Sequence, residues 1–224
     1  MAGGLGTRLR KVIADLPKPM APVAGRPFLD ILLSSLADKG FQRVVLALGY
    51  LAEKVVDHFG SRFAGMELIY EIEPRPLGTG GAVCLAMTRC LAEHVFVFNG
   101  DTFIDLEVAE LEMCWQKQRV PVVVAREVPD TGRYGRLDVV DGRIRAFMEK
   151  GAAGPGLINA GCYLLPRDIL ADYEPGKSFS LENEFLARAV KTQRFEAFVT
   201  KGLFIDIGVP DDYARAQTLF RGNV

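Results

Sequence analysis

Along the first half of the chain, segments whose apolar residues have helical spacing alternate with short apolar runs of strand length. Apolar side chains in residues 26–39 recur at helical spacing and stop before Gly40, which predicts a helix that ends there. Continuous apolar runs at residues 43–48 and 94–98 have the length of buried strands. The same reasoning predicts helices at residues 51–59, 82–91 and 107–118, and strands at residues 67–71 and 121–127. This order is typical of repeated β-α-β units.

The alternation ends in the second half of the chain. Residues 134–139 and 143–148 flank Asp141-Gly142, and an Asp-Gly pair between two such segments indicates a β-hairpin. A longer apolar run at residues 157–165 predicts another strand. The remaining predictions are helices at residues 166–173 and 181–192, the second with Ser180 as N-cap, a strand at residues 195–199, and a short strand at residues 204–206 before a final helix.

The composition is typical of a globular protein. A chain of 224 residues with 49% hydrophobic and 25% charged residues can form one large core or two unequal lobes. The formal net charge of -1 gives no general attraction to nucleic acid or to an anionic membrane, so any phosphate affinity must come from local charges. We therefore expect no nucleic-acid partner and no membrane partner. Because the N-terminus lacks a signal-type apolar segment, we expect a cytoplasmic protein.

The cysteines give little indication of a special function. Cys84, Cys90, Cys114 and Cys162 form no C-x-x-C pair, and neither histidine lies near them in sequence. We therefore expect buried reduced thiols rather than a zinc site or a disulfide framework.

A glycine-rich segment at residues 3–20, GGLGTRLRKVIADLPKPM, is the first candidate for ligand chemistry. Glycine tolerates positive φ and close approach, so successive amide N–H groups can converge on phosphate oxygens. Arg8 adds a planar cation, and Lys18 adds a point charge between two prolines. The spacing matches neither a Walker loop nor a dinucleotide-binding fingerprint. The segment therefore suits a polyphosphate, while a simple turn is the alternative.

A second glycine-rich loop, EPRPLGTGG at residues 73–81, precedes the helix predicted at residues 82–91. Gly78 allows close backbone approach to a ligand. Thr79 has two interpretations, because its hydroxyl can cap the helix or hydrogen-bond a ribose. The bare pattern favours capping.

Two aspartates follow apolar strands. Asp101 comes after the strand at residues 94–98 and the pair Asn99-Gly100, and Asp206 ends the short strand at residues 204–206. Ligands of open α/β sheets collect beyond the carboxyl ends of parallel strands, and hard divalent cations prefer carboxylate oxygen. Each aspartate is therefore a candidate metal ligand. The alternative for each is a carboxylate that only stabilises a turn.

A third polar group follows the predicted hairpin. Glu149-Lys150 comes directly after it, and Asn159 and Gly161 interrupt the apolar run at residues 157–165. These residues suit sugar hydroxyls and a second phosphate, although a solvated turn explains Glu149-Lys150 equally well.

Together these segments resemble the sugar-1-phosphate nucleotidyltransferase family, whose signature is Gly-Gly-x-Gly-Thr-Arg-Leu followed by Pro-Lys-Pro-Met. From Gly3 to about Phe220 the chain carries GGLGTRL, PKPM, EPRPLGTGGA, NGDTF, GLINAGCYLL and FIDIGVPDDY in the family's order. The stretch KVIAD at residues 11–15 departs from the Pro-Leu-Thr of many hexose enzymes and favours the heptose branch.

The resemblance implies an α/β protein with a Rossmann-like three-layer α/β/α nucleotidyltransferase (GT-A-like) fold and a mixed, mainly parallel central sheet. It implies one domain over residues 1–224, with residues 1–120 mainly binding nucleotide and residues 121–224 mainly binding sugar phosphate. Family members carry a strand before the glycine loop, so either a first strand is missing before Met1, which we expect, or the N-terminus is built differently. We expect no additional C-terminal domain of the kind that some relatives carry.

The resemblance also implies roles for residues at matching positions. The implied nucleotide-binding residues are Ala2, Gly3, Gly4, Gly6, Thr7, Arg8, Leu77, Gly78 and Thr79. The implied sugar-phosphate-binding residues are Gly100, Glu149, Lys150, Asn159 and Gly161. The implied catalytic residues are Arg8, Lys18, Asp101 and Asp206, of which the two aspartates would share one Mg²⁺.

The implied reaction joins GTP and D-glycero-α-D-manno-heptose 1-phosphate, and it gives GDP-heptose and pyrophosphate for a bacterial capsule or lipopolysaccharide. One alternative is another sugar-1-phosphate nucleotidyltransferase, which would use mannose or glucose 1-phosphate with GTP, CTP, UTP or dTTP. The other is a catalytically silent relative that binds nucleotide sugars. The oligomeric state is not predicted, and a homodimer is one option.

Overall fold

The computed structural model describes residues 1, 15–148, 151 and 153–221. The chain divides into two compact units whose segments alternate along the sequence. The first unit is Met1–Pro76, Asn99–Phe103 and Ile205–Val224, and the second unit is Leu77–Phe98 and Ile104–Phe204. These bounds differ from the division near residue 120 that we expected from the sequence. That residues 1–120 mainly bind nucleotide and residues 121–224 mainly bind sugar phosphate stays a prediction.

Helices and strands cover most of the described residues. The α-helices are α1 Phe28–Asp38, α2 Ala52–Phe59, α3 Gly78–Met87, α4 Val108–Gln118, α5 Ala187–Thr192 and α6 Pro210–Leu219. Lys18–Met20 forms a 3₁₀ turn, and Leu181–Leu186 forms a π-helix. The strands are β1 Pro22–Val23, β2 Arg26–Pro27, β3 Arg43–Leu48, β4 Arg62–Phe63, β5 Met66–Ile72, β6 His94–Phe98, β7 Thr102–Ile104, β8 Val122–Val128, β9 Arg136–Val140, β10 Arg143–Met148, β11 Gly156–Pro166, β12 Glu196–Thr200 and β13 Phe204–Asp206.

The first unit contains helix α1 and a three-stranded sheet. Strands β3 and β5 are parallel neighbours, and β4 pairs with β5 in the antiparallel direction. Helix α1 buries most of its apolar residues, and Gly40 follows its end with a φ of 87°, where a glycine avoids the strain of the left-handed region. The helix and strands predicted here are confirmed to within a few residues.

An apolar cluster of the first unit lies beside the candidate metal ligands Asp101 and Asp206. Phe103 follows Asp101 by two residues, and Ile205 and Ile207 flank Asp206; all three apolar side chains are buried. The rings of Phe103 and Phe220 meet edge to face, with centroids 5.0 Å apart. Burial of the neighbours on either side fixes where Asp206 can lie, since its backbone cannot shift without exposing them.

The second unit is built on a six-stranded sheet in the order β6-β11-β8-β12-β10-β9. The pairing of β8 with β12 is parallel, and the other described pairings of this sheet are antiparallel. The mixed α/β architecture agrees with the expectation, but the antiparallel share in this sheet is larger than the sequence indicated. The hairpin of β9 and β10 turns at Asp141 and Gly142, with φ of 51° and 75°, as the Asp-Gly pair predicted.

Three predicted elements differ from the structure. Residues 167–173 form successive turns rather than a helix, in which Ala171 N donates to Asp168 O and Tyr173 N to Leu170 O. A segment this short propagates poorly as an α-helix, because nucleation is costly. Helix α3 begins at Gly78, earlier than predicted, and the helix predicted at residues 181–192 is a π-helix followed by α5. Ser180 does cap it, with its hydroxyl accepting from the N–H of Asn183 at 3.1 Å.

No helix among the described residues is long and apolar enough to cross a membrane.

Candidate active site

Lys18 and Asp101 form an ion pair in the first unit. Lys18 begins the 3₁₀ turn after Pro17, and its ammonium nitrogen donates to Oδ2 of Asp101. Asp101 lies between β6 and β7, directly after Gly100, whose N–H donates to the carbonyl of Met1 at 2.7 Å. The Lys18 side chain is largely buried, whereas about a third of the Asp101 side chain is exposed (14% and 34% exposure). A ligand can therefore reach the carboxylate while the cation stays close to it.

Asp206 ends strand β13 on the same side of the first unit as Asp101. The N–H of Ile207 donates to the carbonyl of Asp101 at 2.9 Å, so the end of β13 lies beside the start of β7. Burial raises the pKa of Asp206 above its ordinary value, and the negative charge of Asp101 raises it further, while Lys18 opposes this increase. The structure thus brings together the two aspartates and the lysine that the sequence placed far apart.

Gly208 packs directly against this group. Its N–H donates to Oδ1 of Asp206 at 2.6 Å. A Cβ atom at this position would lie 2.8 Å from Oδ1 of Asp206 and 3.2 Å from Nζ of Lys18. A side chain here would displace the carboxylate, the ammonium group or both. Gly208 is not among the candidate residues found from the sequence, and the Asp-x-Gly spacing is the signal that pointed to its contact with Asp206.

The two carboxylates of this group fit a divalent cation that is also held by substrate phosphate. Two carboxylates and one ammonium leave a net negative charge when both aspartates are ionised, and their oxygens are hard ligands. Mg²⁺ is commonly bound through one or two carboxylates plus substrate phosphates rather than by a complete protein cage. The described part of the chain holds no cluster of three or more histidine, cysteine, aspartate or glutamate side chains arranged for a metal.

The glycine-rich loop of the second unit packs tightly against residues 177–181. Gly78 has a φ of 69°, and a Cβ atom there would lie 2.6 Å from the carbonyl oxygen of Phe179. At Gly80, a Cβ atom would overlap the Phe179 ring at 2.1 Å. Leu77 is fully buried, and its carbonyl accepts from the N–H of Phe179 at 3.0 Å. The glycines are therefore required for packing as well as for any approach to a ligand.

Thr79 is not the helix cap that the bare sequence pattern favoured. Helix α3 begins one residue earlier, and no side chain caps its first turn. The Thr79 hydroxyl accepts from the N–H of Leu181 at 2.8 Å and donates to Oε2 of Glu182 at 2.7 Å. Its hydrogen is engaged within the protein, so a bound ribose would meet the backbone of this loop or the remaining lone pair of the hydroxyl.

Asn159 and Gly161 lie in an irregular part of β11. The register between β11 and β8 shifts between Asn159 and Tyr163, and Gly161 has a φ of 70°. The side-chain oxygen of Asn159 accepts from the N–H of Gly161 at 3.0 Å. This bulge breaks the regular alternation of the strand and re-aims the asparagine, as bulges near ligand sites do.

Several predicted site residues lie outside the described residues. They are Ala2, Gly3, Gly4, Gly6, Thr7 and Arg8 of the first glycine-rich segment, and Glu149 and Lys150 after β10. Their proposed roles therefore depend on the sequence and on relatives.

Comparison with known proteins identifies the class of protein. A family model described as nucleotidyl transferase matches residues 1–221. The chain therefore belongs to the nucleotidyl transferase family, and its relatives are sugar-1-phosphate nucleotidyltransferases. The family and the nucleotidyltransferase fold expected from the sequence are confirmed.

Two curated relatives are more specific. The D-glycero-alpha-D-manno-heptose 1-phosphate guanylyltransferase of Aneurinibacillus thermoaerophilus is 37% identical over 218 residues, which cover 97% of this chain and 95% of the relative. The enzyme of the same name from Campylobacter jejuni subsp. jejuni is 39% identical over 214 residues, which cover 95% of each chain.

A solved structure agrees with these relatives. HddC from Yersinia pseudotuberculosis is 41% identical, with a TM-score of 0.88, over 98% of this chain and 96% of HddC. A second structure of HddC is described as a complex with GMP-PN.

Proposed function

We propose that this protein transfers the guanylyl group of GTP to D-glycero-α-D-manno-heptose 1-phosphate, which gives GDP-heptose and pyrophosphate. The observation that carries the proposal is the group of Lys18, Asp101 and Asp206 in a chain with two relatives of similar length, 37% and 39% identical, that are heptose 1-phosphate guanylyltransferases. A guanine nucleotide analogue in HddC supports GTP as the nucleotide.

The chemistry needs no side-chain nucleophile. An oxygen of the sugar 1-phosphate, which is already anionic, attacks the α-phosphorus of GTP. As the new P–O bond forms, the bond from the α-phosphorus to the bridging oxygen breaks, and pyrophosphate leaves with the electron pair. The protein's task is to align two anions and to neutralise their charge, as in other phosphoryl-type transfers.

Lys18 and the two aspartates divide this task. Lys18 is held beside Asp101 by their ion pair, and we infer that its ammonium neutralises charge at the α-phosphate. Asp101 and Asp206 would hold Mg²⁺, which would polarise the α-phosphate and offset the repulsion between the substrates. Gly208 keeps the Asp206 carboxylate oriented through its backbone N–H.

The other residues are proposed from their matches to the family. The backbone of Ala2, Gly3, Gly4 and Gly6, with Thr7 and Arg8, would hold the β- and γ-phosphates and the departing pyrophosphate. Leu77, Gly78 and Thr79 would border the base and ribose. Gly100, Glu149, Lys150, Asn159 and Gly161 would hold the sugar phosphate.

A substrate panel tests the proposal. The protein is incubated with Mg²⁺, with each of GTP, ATP, CTP, UTP and dTTP, and with heptose, mannose and glucose 1-phosphates, and pyrophosphate release is followed. We expect the highest kcat/KM for GTP with the heptose 1-phosphate. A preference for another pair would reassign the substrate within the family, and no pyrophosphate with any pair would support a silent nucleotide-sugar-binding relative.

The setting of the reaction is also a proposal. We infer a cytoplasmic enzyme that requires Mg²⁺ and whose product is used for a bacterial capsule or lipopolysaccharide. Removal of divalent ions with EDTA should abolish activity, and added Mg²⁺ should restore it. The homodimer considered above would give twice the mass of one chain by light scattering.

A further inference from the structure

A chain of hydrogen bonds connects two candidate ligand-binding segments within the second unit. Oγ1 of Thr79 donates to Oε2 of Glu182 at 2.7 Å, and Oη of Tyr163 donates to Oε1 of Glu182 at 3.2 Å. Nδ2 of Asn159 donates to Oη of Tyr163 at 2.8 Å, and Oδ1 of Asn159 accepts from the N–H of Gly161 at 3.0 Å. Two members of this chain of hydrogen bonds, Tyr163 and Glu182, were not candidate site residues in the sequence.

Glu182 is presented by the first turn of the π-helix, a helix type that often marks functional positions. The turn is already stabilised by other residues. Ser180 caps it, and Oε1 of Glu184 accepts from the N–H of Ser180 at 2.8 Å. The Ser180 hydroxyl also donates to Oε2 of Glu182, at the longer distance of 3.4 Å. The shorter hydrogen bonds of the Glu182 carboxylate come from Thr79 and Tyr163, which lie outside the π-helix.

The charge on Glu182 fixes the direction of every bond in the chain. An ionised carboxylate only accepts hydrogen bonds. Tyr163 is fully buried, and burial together with the charge of Glu182 raises the pKa of its hydroxyl well above the ordinary value, so it stays protonated. Tyr163 therefore donates to Glu182 and accepts from Asn159. This arrangement turns the Asn159 amide so that its oxygen faces Gly161.

We propose that Glu182 is a positioning residue that holds the Thr79 loop and the Asn159–Gly161 bulge in one mutual orientation for catalysis. The inference rests on the proposed function, which gives the first segment to the nucleotide and the second to the sugar phosphate. If either segment turned, a polar group inside the unit would lose its partner, which is costly in free energy. One carboxylate thus orients the binding segments of both substrates.

Replacement of Glu182 by glutamine tests this directly. Glutamine keeps the size of the side chain but turns one of its two acceptors into a donor, so Thr79 or Tyr163 loses its acceptor. We expect KM for GTP and KM for the heptose 1-phosphate each to rise about three- to tenfold, with a smaller change in kcat. Glu184→Gln is the matched control, because it makes the same change two residues away, and both KM values should stay within about twofold of wild type.

The split between KM and kcat separates positioning from a merely structural role. A structural role would lower the folded fraction, and hence the apparent kcat, while both KM values stayed unchanged. Unchanged KM values in Glu182→Gln would therefore overturn the inference. An increase for one substrate alone would also overturn it, since Glu182 would then serve a single segment.

Hydrogen exchange of the free protein gives an answer that does not depend on activity. In Glu182→Gln we expect faster exchange at the amides of Leu181 and Gly161, which bond to Thr79 and Asn159, and no change at either amide in Glu184→Gln. Unchanged exchange at Gly161 would contradict the connection. If the wild-type protein released no pyrophosphate with any substrate pair, the proposed function would fail, while this measurement would still decide whether Glu182 links the two segments.

Discussion

Replacement of Gly208 by alanine would place one methyl group against the two polar groups on which the proposed reaction depends. The new Cβ would lie 2.8 Å from Oδ1 of Asp206, and ordinary contact begins near 3.4 Å, so the carboxylate would have to move by about 0.6 Å. Lys18 limits movement on its side, because its Nζ would lie 3.2 Å from the same Cβ. The substitution therefore displaces a proposed metal ligand without changing its chemistry.

This displacement should reduce turnover far more than stability. A misplacement of roughly 1 Å can cost about 10²-fold in rate, so we expect kcat to fall about 10- to 100-fold. Gly208 is not among the residues with positive φ, so alanine fits its backbone conformation. Loss of glycine's freedom in the unfolded chain adds about 0.4–1 kcal/mol of stability, which offsets part of the local strain.

The assay is steady-state pyrophosphate release with GTP and the heptose 1-phosphate, alongside thermal unfolding of the same samples. Gly132→Ala is a matched control, since the N–H of Gly132 likewise donates to an aspartate two residues earlier, Asp130, at 3.0 Å. There the added Cβ would lie 3.4 Å from the carboxylate oxygen, an ordinary contact, and wild-type kcat is expected. Wild-type kcat in Gly208→Ala would refute the role given to this carboxylate and its neighbours.

Three further outcomes follow from the same contacts. Asp101→Ala should lower kcat by about two to three orders of magnitude and leave the circular dichroism spectrum unchanged; near-normal turnover with Mg²⁺ would remove its assignment as metal ligand. A raised pKa means that the Asp206 carboxyl stabilises the fold at acidic pH and that this contribution is lost as the pH rises through its native pKa. Without metal, Asp206→Asn should therefore raise Tm at pH 7, with the gain vanishing below the ordinary value of 3.8, and an equal Tm at pH 7 would count against this. Gly80→Ala should lower the free energy of unfolding by about 1–3 kcal/mol in urea titrations, because the new Cβ would overlap the Phe179 ring; an unchanged midpoint would show that the ring can yield.

Local patterns were sufficient for elements whose own residues decide their structure. The strands β3 and β6 were predicted to the residue, because continuous apolar runs of strand length have few other ways to be buried. The Asp-Gly turn was also predicted, since few residue pairs accept positive φ at both positions. Predictions failed where several conformations had similar local free energies, as in the turns at residues 167–173 and in the π-helix, where contacts with the rest of the unit decide.

The candidate site divides in the same way. Asp101 and Asp206 could be found from sequence because each lies at the end of an apolar strand, beside residues that form turns. Their proximity was implied only by the family resemblance and not by the residues themselves, since it depends on the backbone bond between Ile207 and Asp101, which are far apart in the chain. The bare pattern at Thr79 favoured a helix cap, and only the structure showed that its hydroxyl bonds Leu181 and Glu182 instead.

The sequence by itself determined the kind of chemistry this protein can do, because backbone freedom at glycine, carboxylate charge and lysine charge belong to the residues themselves. Only the tertiary structure decided which of these groups act together. Asp101 and Lys18, whose charges act on Asp206, and Thr79, which donates to Glu182, are distant in sequence from the groups they affect. Burial raises the pKa of Asp206, and the fold alone brings the Thr79 and Tyr163 hydroxyls to the Glu182 carboxylate. Such effects depend on the surroundings that the fold creates, and no local pattern along the chain contains them.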